Sequence, residues 1–247
     1  MELVIIFVTT LIASLLSSMS GGGTAIINIP VFLSLGFSVP LALATISLNN
    51  VFWVLLASRN YLKGRNIDWK FIILFSAIGV IGSYISIQFV TGISTRTYQL
   101  LVGPLLLALV AYTYLKRDLG LQQQKVYSKT RQMLAYPFAL LLGFYESAFA
   151  AGNAILFSIV SFYTKGFDFI SALGYYYAVA FAWVLISALL LICKGYYDLK
   201  IMPVAIAGSV VGAYIGSKYG RYKGNKFIKI TFVVIGGILG FKLLFGL

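Results

Sequence analysis

Two stretches of the 247-residue chain carry residue types that could do chemistry in an otherwise oily sequence. The first, SMSGGGTAIINIP, begins at Ser18 and sets Gly21, Gly22 and Gly23 between Ser20 and Thr24. The second, ESAFAAGNA, contains Glu146, Ser147, Gly152 and Asn153. Bare backbone in hydrocarbon costs several kcal/mol per unpaired group, so a glycine break at membrane depth needs a reason. A helix that starts at such a break offers first-turn N–H groups with no internal acceptor and a partial positive charge, which together suit an anion. Ser18, Ser20 and Thr24 add hydroxyls there, and Ser147, Gly152 and Asn153 supply a second set of polar groups. Glu146 is the acidic residue deepest in an apolar segment; Asp68, Asp118, Asp168 and Asp198 fall in loops and Glu2 is terminal. A carboxyl at membrane depth reads as functional by default, here as a candidate proton carrier.

The chain is 60% hydrophobic and 10% charged, with a mean hydropathy of +0.95. That balance belongs to membrane proteins. Segments long enough to span are expected at Leu3–Met19, Pro40–Ser58, Trp69–Val90, Tyr98–Leu115, Met133–Ala150, Phe169–Cys193, Leu199–Ser217 and Phe227–Phe245. Leu3–Met19 lacks a basic flank and reads as a span, not as a cleaved signal peptide. Thr24–Leu35 and Ala154–Thr164 are about half as long, and each follows a glycine-containing break. Neither can cross alone as a regular helix.

The order of long and short segments repeats. Sliding the chain by 130 residues brings Gly22 onto Gly152, Gly36-Phe37 onto Gly166-Phe167 and Trp53-Val54-Leu55 onto Trp183-Val184-Leu185. It also brings Asp68 and Lys70 onto Asp198 and Lys200, and Gly82-x-Tyr84-Ile85 onto Gly212-x-Tyr214-Ile215. The expected fold is therefore all-α and polytopic. It comprises two inverted five-segment repeats, 1–115 and 133–247, with about eight full transmembrane helices and two half-length segments. Residues 116–132 form a polar linker. If each repeat crosses an odd number of times, fifteen of the 19 Lys and Arg fall on one side. Re-entrant short segments would erase most of that bias. The positive-inside rule thus places the linker in the cytoplasm and both termini outside the cell membrane.

The same pattern narrows function. A formal charge of +13 confined to short loops sets topology and does not indicate nucleic acid. Histidine is absent and Cys193 is the one cysteine, so no cofactor or metal is expected, and a lipid-acting enzyme lacks an evident nucleophile–base pair. Inverted repeats with broken helices are a transporter signature, with the site near the midplane. Asn49 and Asn50, matched by Val179 and Ala180, are candidate cavity residues. Tyr175, Tyr176 and Tyr177 cover every face of their helix, so at most one or two can face a pore and aromatic-belt placement is the simpler reading; Trp53 and Trp183 read as packing, and Asp68 and Asp198 as helix caps. The partners expected are the bilayer and a small anion; a homo-oligomer is compatible with the sequence.

A Gly-rich turn, then INIPVFLSLG (Ile27–Gly36), LNN (Leu48–Asn50), GRNIDW (Gly64–Trp69) and a Gly79-x-x-Gly82-x-Tyr84 helix together resemble the TauE/SafE sulfite-exporter family. The resemblance covers the whole chain in two copies. It implies transport of sulfur oxyanions or organosulfonates across the cytoplasmic membrane, with uptake assigned to some members. It also makes Gly21–Thr24, Asn49 and Asn50 candidate site residues. Ala151-Gly152-Asn153, preceded by Glu146, departs from the second Gly-rich turn usual in that family. Uptake of thiosulfate or a small carboxylate is the alternative within transport.

Overall fold

Matched punctuation in the two halves sets the helix ends. Gly36-Phe37-Ser38 and Gly166-Phe167-Asp168 each end a half-length helix and open a long one. Ser38 Oγ accepts from the Leu41 amide at 3.4 Å and Asp168 Oδ1 from the Ser171 amide at 2.8 Å, both as N-caps. Asp68 and Asp198 cap in the same way, accepting from the amides of Phe71 and Ile201 at 3.0 and 3.1 Å.

The computed structural model describes all residues except Gly22, 91–93, 123–126 and 246–247. Among the described residues it forms α1 (Glu2–Ser20), α2 (Ala25–Ser34), α3 (Val39–Leu62), α4 (Trp69–Val90), α5 (Thr95–Leu115), α6 (Lys129–Met133), α7 (Tyr136–Phe149), α8 (Asn153–Lys165), α9 (Phe169–Cys193), α10 (Ile201–Lys223) and α11 (Asn225–Phe245), with no strand. Five of these are long and apolar enough to cross a membrane: α1, α3, α4, α9 and α10. Eight were expected, and α5 and α11, each of 21 residues, match two of the remaining three in length. The clearest difference is α7, which begins at Tyr136 and has 14 residues. Pro137 lies in its first turn and a separate short helix ends at Met133, so the apolar run Met133–Ala150 is not one rod.

Helices from the two halves interleave. The most extensive interfaces are α1 on α10, α3 on α9 and α4 on α7, followed by α10 on α3, α5 on α11 and α4 on α9. Under the 130-residue offset, the α1–α10 pair exchanges with α7–α4, and the α3–α9 pair maps onto itself. Neither half encloses its own core. Close approach depends on matched glycines: a Cβ at Gly82 would sit 2.0 Å from the Leu140 carbonyl, and one at Gly212 2.1 Å from that of Leu11. Such small-residue contacts let membrane helices gain van der Waals energy that no hydrophobic effect supplies in lipid.

Four polar connections meet at one end of the bundle. Arg65 pairs with Asp168 at 3.1 Å, and Lys165 with Asp68 at 3.0 Å. Lys229 donates to the Lys116 carbonyl at 2.6 Å, Asn225 to that of Leu121 at 3.0 Å, and Arg131 to that of Tyr163 at 2.8 Å. These bonds join the α3–α4, α5–α6, α8–α9 and α10–α11 connections. Away from this cluster, Lys194 donates to Gln88 at 3.3 Å. Burial pushes the Asp168 carboxyl up, but hydrogen bonds from Ser171 and Arg65 and the guanidinium charge outweigh it and hold the group below the usual carboxylate range.

Candidate functional site

The two breaks cross each other in the interior. Helix α1 ends at Gly21, whose backbone is left-handed (φ 74°), and α7 ends at Ala150, also left-handed (φ 48°). Ala150 is the one non-glycine residue with positive φ among the described residues, a conformation that costs of order 1–3 kcal/mol and gathers at functional sites. Gly23 lies directly on the second break. A Cβ there would meet the Ala150 carbonyl at 2.3 Å and the Ala151 Cα at 2.6 Å, so only glycine permits this backbone-to-backbone contact.

Freed helix ends must find partners where water is scarce. Tyr177 from α9 donates to the Ser17 carbonyl at 2.8 Å, and Tyr61 from α3 donates to that of Ser18 at 2.7 Å. On α7, Asn153 Nδ2 donates to the Leu142 carbonyl at 3.0 Å. The two tyrosines thus serve carbonyls in the last turn of α1, while Asn153 ties the second break back to the body of α7, seven residues before its end.

Two side-chain clusters flank the crossing. Thr24 Oγ1 and Trp53 Nε1 both donate to Asn50 Oδ1, at 3.1 and 2.7 Å. The indole N–H can only donate, which fixes the Asn50 oxygen toward it and leaves the amide NH2 without a protein acceptor among the described residues. On the other side, Asn153 Nδ2 and Tyr176 Oη donate to Glu146 Oε2 at 2.8 and 2.5 Å. Glu146 is buried, and among the described residues no Lys or Arg shares its cavity. The cavity between the clusters is lined by Gly21, Gly23, Thr24, Asn50, Trp53 and Glu146, closed by Tyr176 and Tyr177. Its volume is ≈ 10 Å³, room for about one water.

Of the residues singled out in the sequence, Gly21, Gly23, Thr24, Asn50 and Glu146 line this cavity. Asn153 stands behind it, holding Glu146. Gly22 lies outside the described residues. Ser20 is buried and bonds to the Leu16 carbonyl, while Gly152 starts α8 beside Leu106. Ser147 pairs with Ser187 at 2.7 Å, away from the cavity. Asn49 is fully buried off the cavity with neither amide atom partnered among the described residues, because one residue along a helix turns the side chain by about 100°.

Ser17, Trp53, Tyr176 and Tyr177 were missed. Tyr176 and Tyr177 are interior groups, not belt residues, and Trp53 holds Asn50 as well as packing edge-on against Tyr177 at 5.2 Å. A signal for Ser17 existed, since it is the counterpart of Ser147 at the repeat offset.

Long apolar helices that interleave two broken ones around a polar pocket define a multi-spanning membrane transporter. The family model described as sulfite exporter TauE/SafE matches residues 6–243, and the chain belongs to that family. It is 27% identical to a "Probable membrane transporter protein" of Haemophilus influenzae over 98% of this chain and 94% of that one. Identity is 25% to "Probable membrane transporter protein ORF9" of a Sinorhizobium species (98% and 92% covered) and to "Probable membrane transporter protein YfcA" of Escherichia coli K12 (98% and 89% covered). No solved structure gives a significant match.

Proposed function

We propose that the chain is a secondary transporter that carries a small anion, sulfite or another sulfur oxyanion or organosulfonate, by alternating access at the crossing of its two breaks. The contact of Gly23 with Ala150 and Ala151 beside Thr24, Asn50 and Glu146 carries this reading. The start of α2 and the Asn50 amide supply donors for an oxyanion. Glu146 faces the same small space. A carboxylate and an anion there would repel with no cation to offset them, so substrate and proton enter together. A ≈ 10 Å³ cavity is too small for an oxyanion, and loading requires the breaks to part toward one face.

The two halves are inverted in the bilayer, with the basic end cytoplasmic and both termini outside. The bonds that gather the basic connections at one end support this orientation. Cysteines placed at Asn66 and Tyr197 label from opposite faces of intact cells; labelling from one face would refute it. Flux into proteoliposomes, measured with sulfite, sulfate, thiosulfate, taurine and lactate, tests the substrate class. Saturable, pH-gradient-sensitive flux of a sulfur oxyanion or sulfonate is expected. Preference for lactate would favour the carboxylate alternative, and no anion flux would overturn the reading.

A further inference from the structure

Outside the central crossing, a groove of ≈ 820 Å³ opens between α3, α4 and α9. Its walls are apolar, with Leu55 from α3, Ile73 and Val80 from α4 and Phe181 from α9. Its mouth carries three cations, Arg59, Lys63 and Arg65, beside the exposed indole of Trp69. We propose that this groove binds one anionic phospholipid of the leaflet at the basic end of the bundle, its acyl chain along the walls and its phosphate between Arg59 and Lys63.

Depth, charge and chemistry converge on that occupant. Trp69 to Val80 spans about 16 Å along α4, roughly half the hydrocarbon thickness and so the reach of one leaflet. Trp69 sits at the mouth, as interfacial indoles do at headgroup level. Arg65 is already neutralised by Asp168. Arg59 and Lys63 are not: Arg59 lies in the last turn of α3 and Lys63 caps that helix four residues on, both exposed and both lining the groove, with no carboxylate partner among the described residues. Like charges at that spacing repel, and an anion between them converts the repulsion into attraction. A soluble anion would leave the apolar length of the groove uncovered, and a zwitterionic lipid would bring a cation to a cationic mouth. Basic pockets between spanning helices on the cytoplasmic side are a recognised form of lipid headgroup site.

The groove does not repeat in the other half. The counterparts of Arg59, Lys63 and Arg65 are Leu189, Cys193 and Gly195, so one basic groove is expected per chain. The site is separate from the anion cavity and does not depend on which substrate is carried.

The test uses delipidated full-length protein in detergent, titrated with phosphatidylglycerol, phosphatidylcholine or inorganic phosphate. Native mass spectrometry reads bound lipid and thermal unfolding reads stabilisation. Phosphatidylglycerol is expected to bind one per chain and raise Tm, with phosphatidylcholine binding more weakly and inorganic phosphate doing neither. The double variant Arg59→Gln, Lys63→Gln should keep its lipid-free Tm and bind phosphatidylglycerol about 30-fold more weakly, given the typical contribution of two basic residues at an anionic surface. Lys218→Gln, a charge removed elsewhere, should change nothing. Equal binding of both lipids, or unweakened binding by the double variant, would overturn the proposal. Should the double variant unfold, Arg59→Lys with Lys63→Arg keeps the charges and must keep the preference; loss there would also overturn it.

Discussion

The first and second breaks occupy matched places yet differ in what they carry. At the first, Thr24 and Trp53 both donate to the Asn50 oxygen and hold a neutral amide beside the cavity. At the second, Asn153 and Tyr176 both donate to one Glu146 oxygen and hold an acid there. The counterparts of Thr24 and Asn50 are Ala154 and Ala180; those of Glu146 and Tyr176 are Leu16 and Ile46. Each half keeps the backbone device, a helix end followed by a half-length helix, and supplies one part of the chemistry. Even the paired tryptophans diverge, since Trp183 donates to the Ser76 carbonyl of α4 at 3.1 Å and not to a cavity residue. A repeated scaffold therefore gives an asymmetric cavity: a neutral amide on one wall and a carboxyl on the other, which under the proposed function serve the anion and the proton respectively.

The contrast can be broken at its backbone first, and the largest effect belongs there. Gly23→Val drives a side chain into the Ala150 carbonyl and should prevent accumulation of monodisperse protein, read by size-exclusion of the solubilised product. Gly36→Ala has the same left-handed backbone with open space around it, so it should fold with Tm lowered by only a few degrees. Next in size, Glu146→Gln should abolish pH-gradient-driven accumulation in proteoliposomes while substrate exchange persists. Unchanged accumulation would reduce Glu146 to a structural hydrogen-bond acceptor.

The smallest effect falls far from the breaks, at the ion pair that joins the α3–α4 connection to the start of α9. Asp168→Asn keeps a capping side chain but removes the buried charge facing Arg65, for about 1.5–3 kcal/mol in chemical denaturation. The Asp168 carboxyl is held below its ordinary value, so its stabilising effect is complete above the unfolded value near 3.9. It fades as pH falls through the lower folded value. Wild type and Asp168→Asn should therefore differ at pH 7 and converge in strong acid.

The half-length elements were legible to within a residue or two, because glycine and proline mark them: Thr24–Leu35 became Ala25–Ser34, and Ala154–Thr164 became Asn153–Lys165. Family membership and the repeat landmarks were legible for the same reason. Side-chain direction was not. Asn49 and Asn50 are neighbours in a run that is apolar all round, so no periodicity says which one turns inward. Tyr175, Tyr176 and Tyr177 posed the same difficulty: three in a row cover every face of the helix, so nothing says which turn inward, and belt placement is the simpler reading although all three are buried. Glu146 stood out because charge at membrane depth is rare. Its partners Asn153 and Tyr176 lie seven and thirty residues away and meet it only through the break and the packing of α9 on α7.

Thr24→Val and Asn153→Ala test most directly whether the two breaks act as one anion site. Thr24→Val removes a neutral hydrogen-bonding group from the first wall, Asn153→Ala removes the one that supports Glu146 from behind the second, and neither adds bulk at a glycine. The measurement is the affinity of each purified variant for the anion that gives the highest proteoliposome flux, with Tm recorded alongside. Loss of one bond to a charged ligand or its immediate support should cost about 1.5–3 kcal/mol, on the order of 10- to 150-fold in affinity, in both variants. Near-native affinity in both, at near-native Tm, would contradict a shared site and leave the crossing as a packing device.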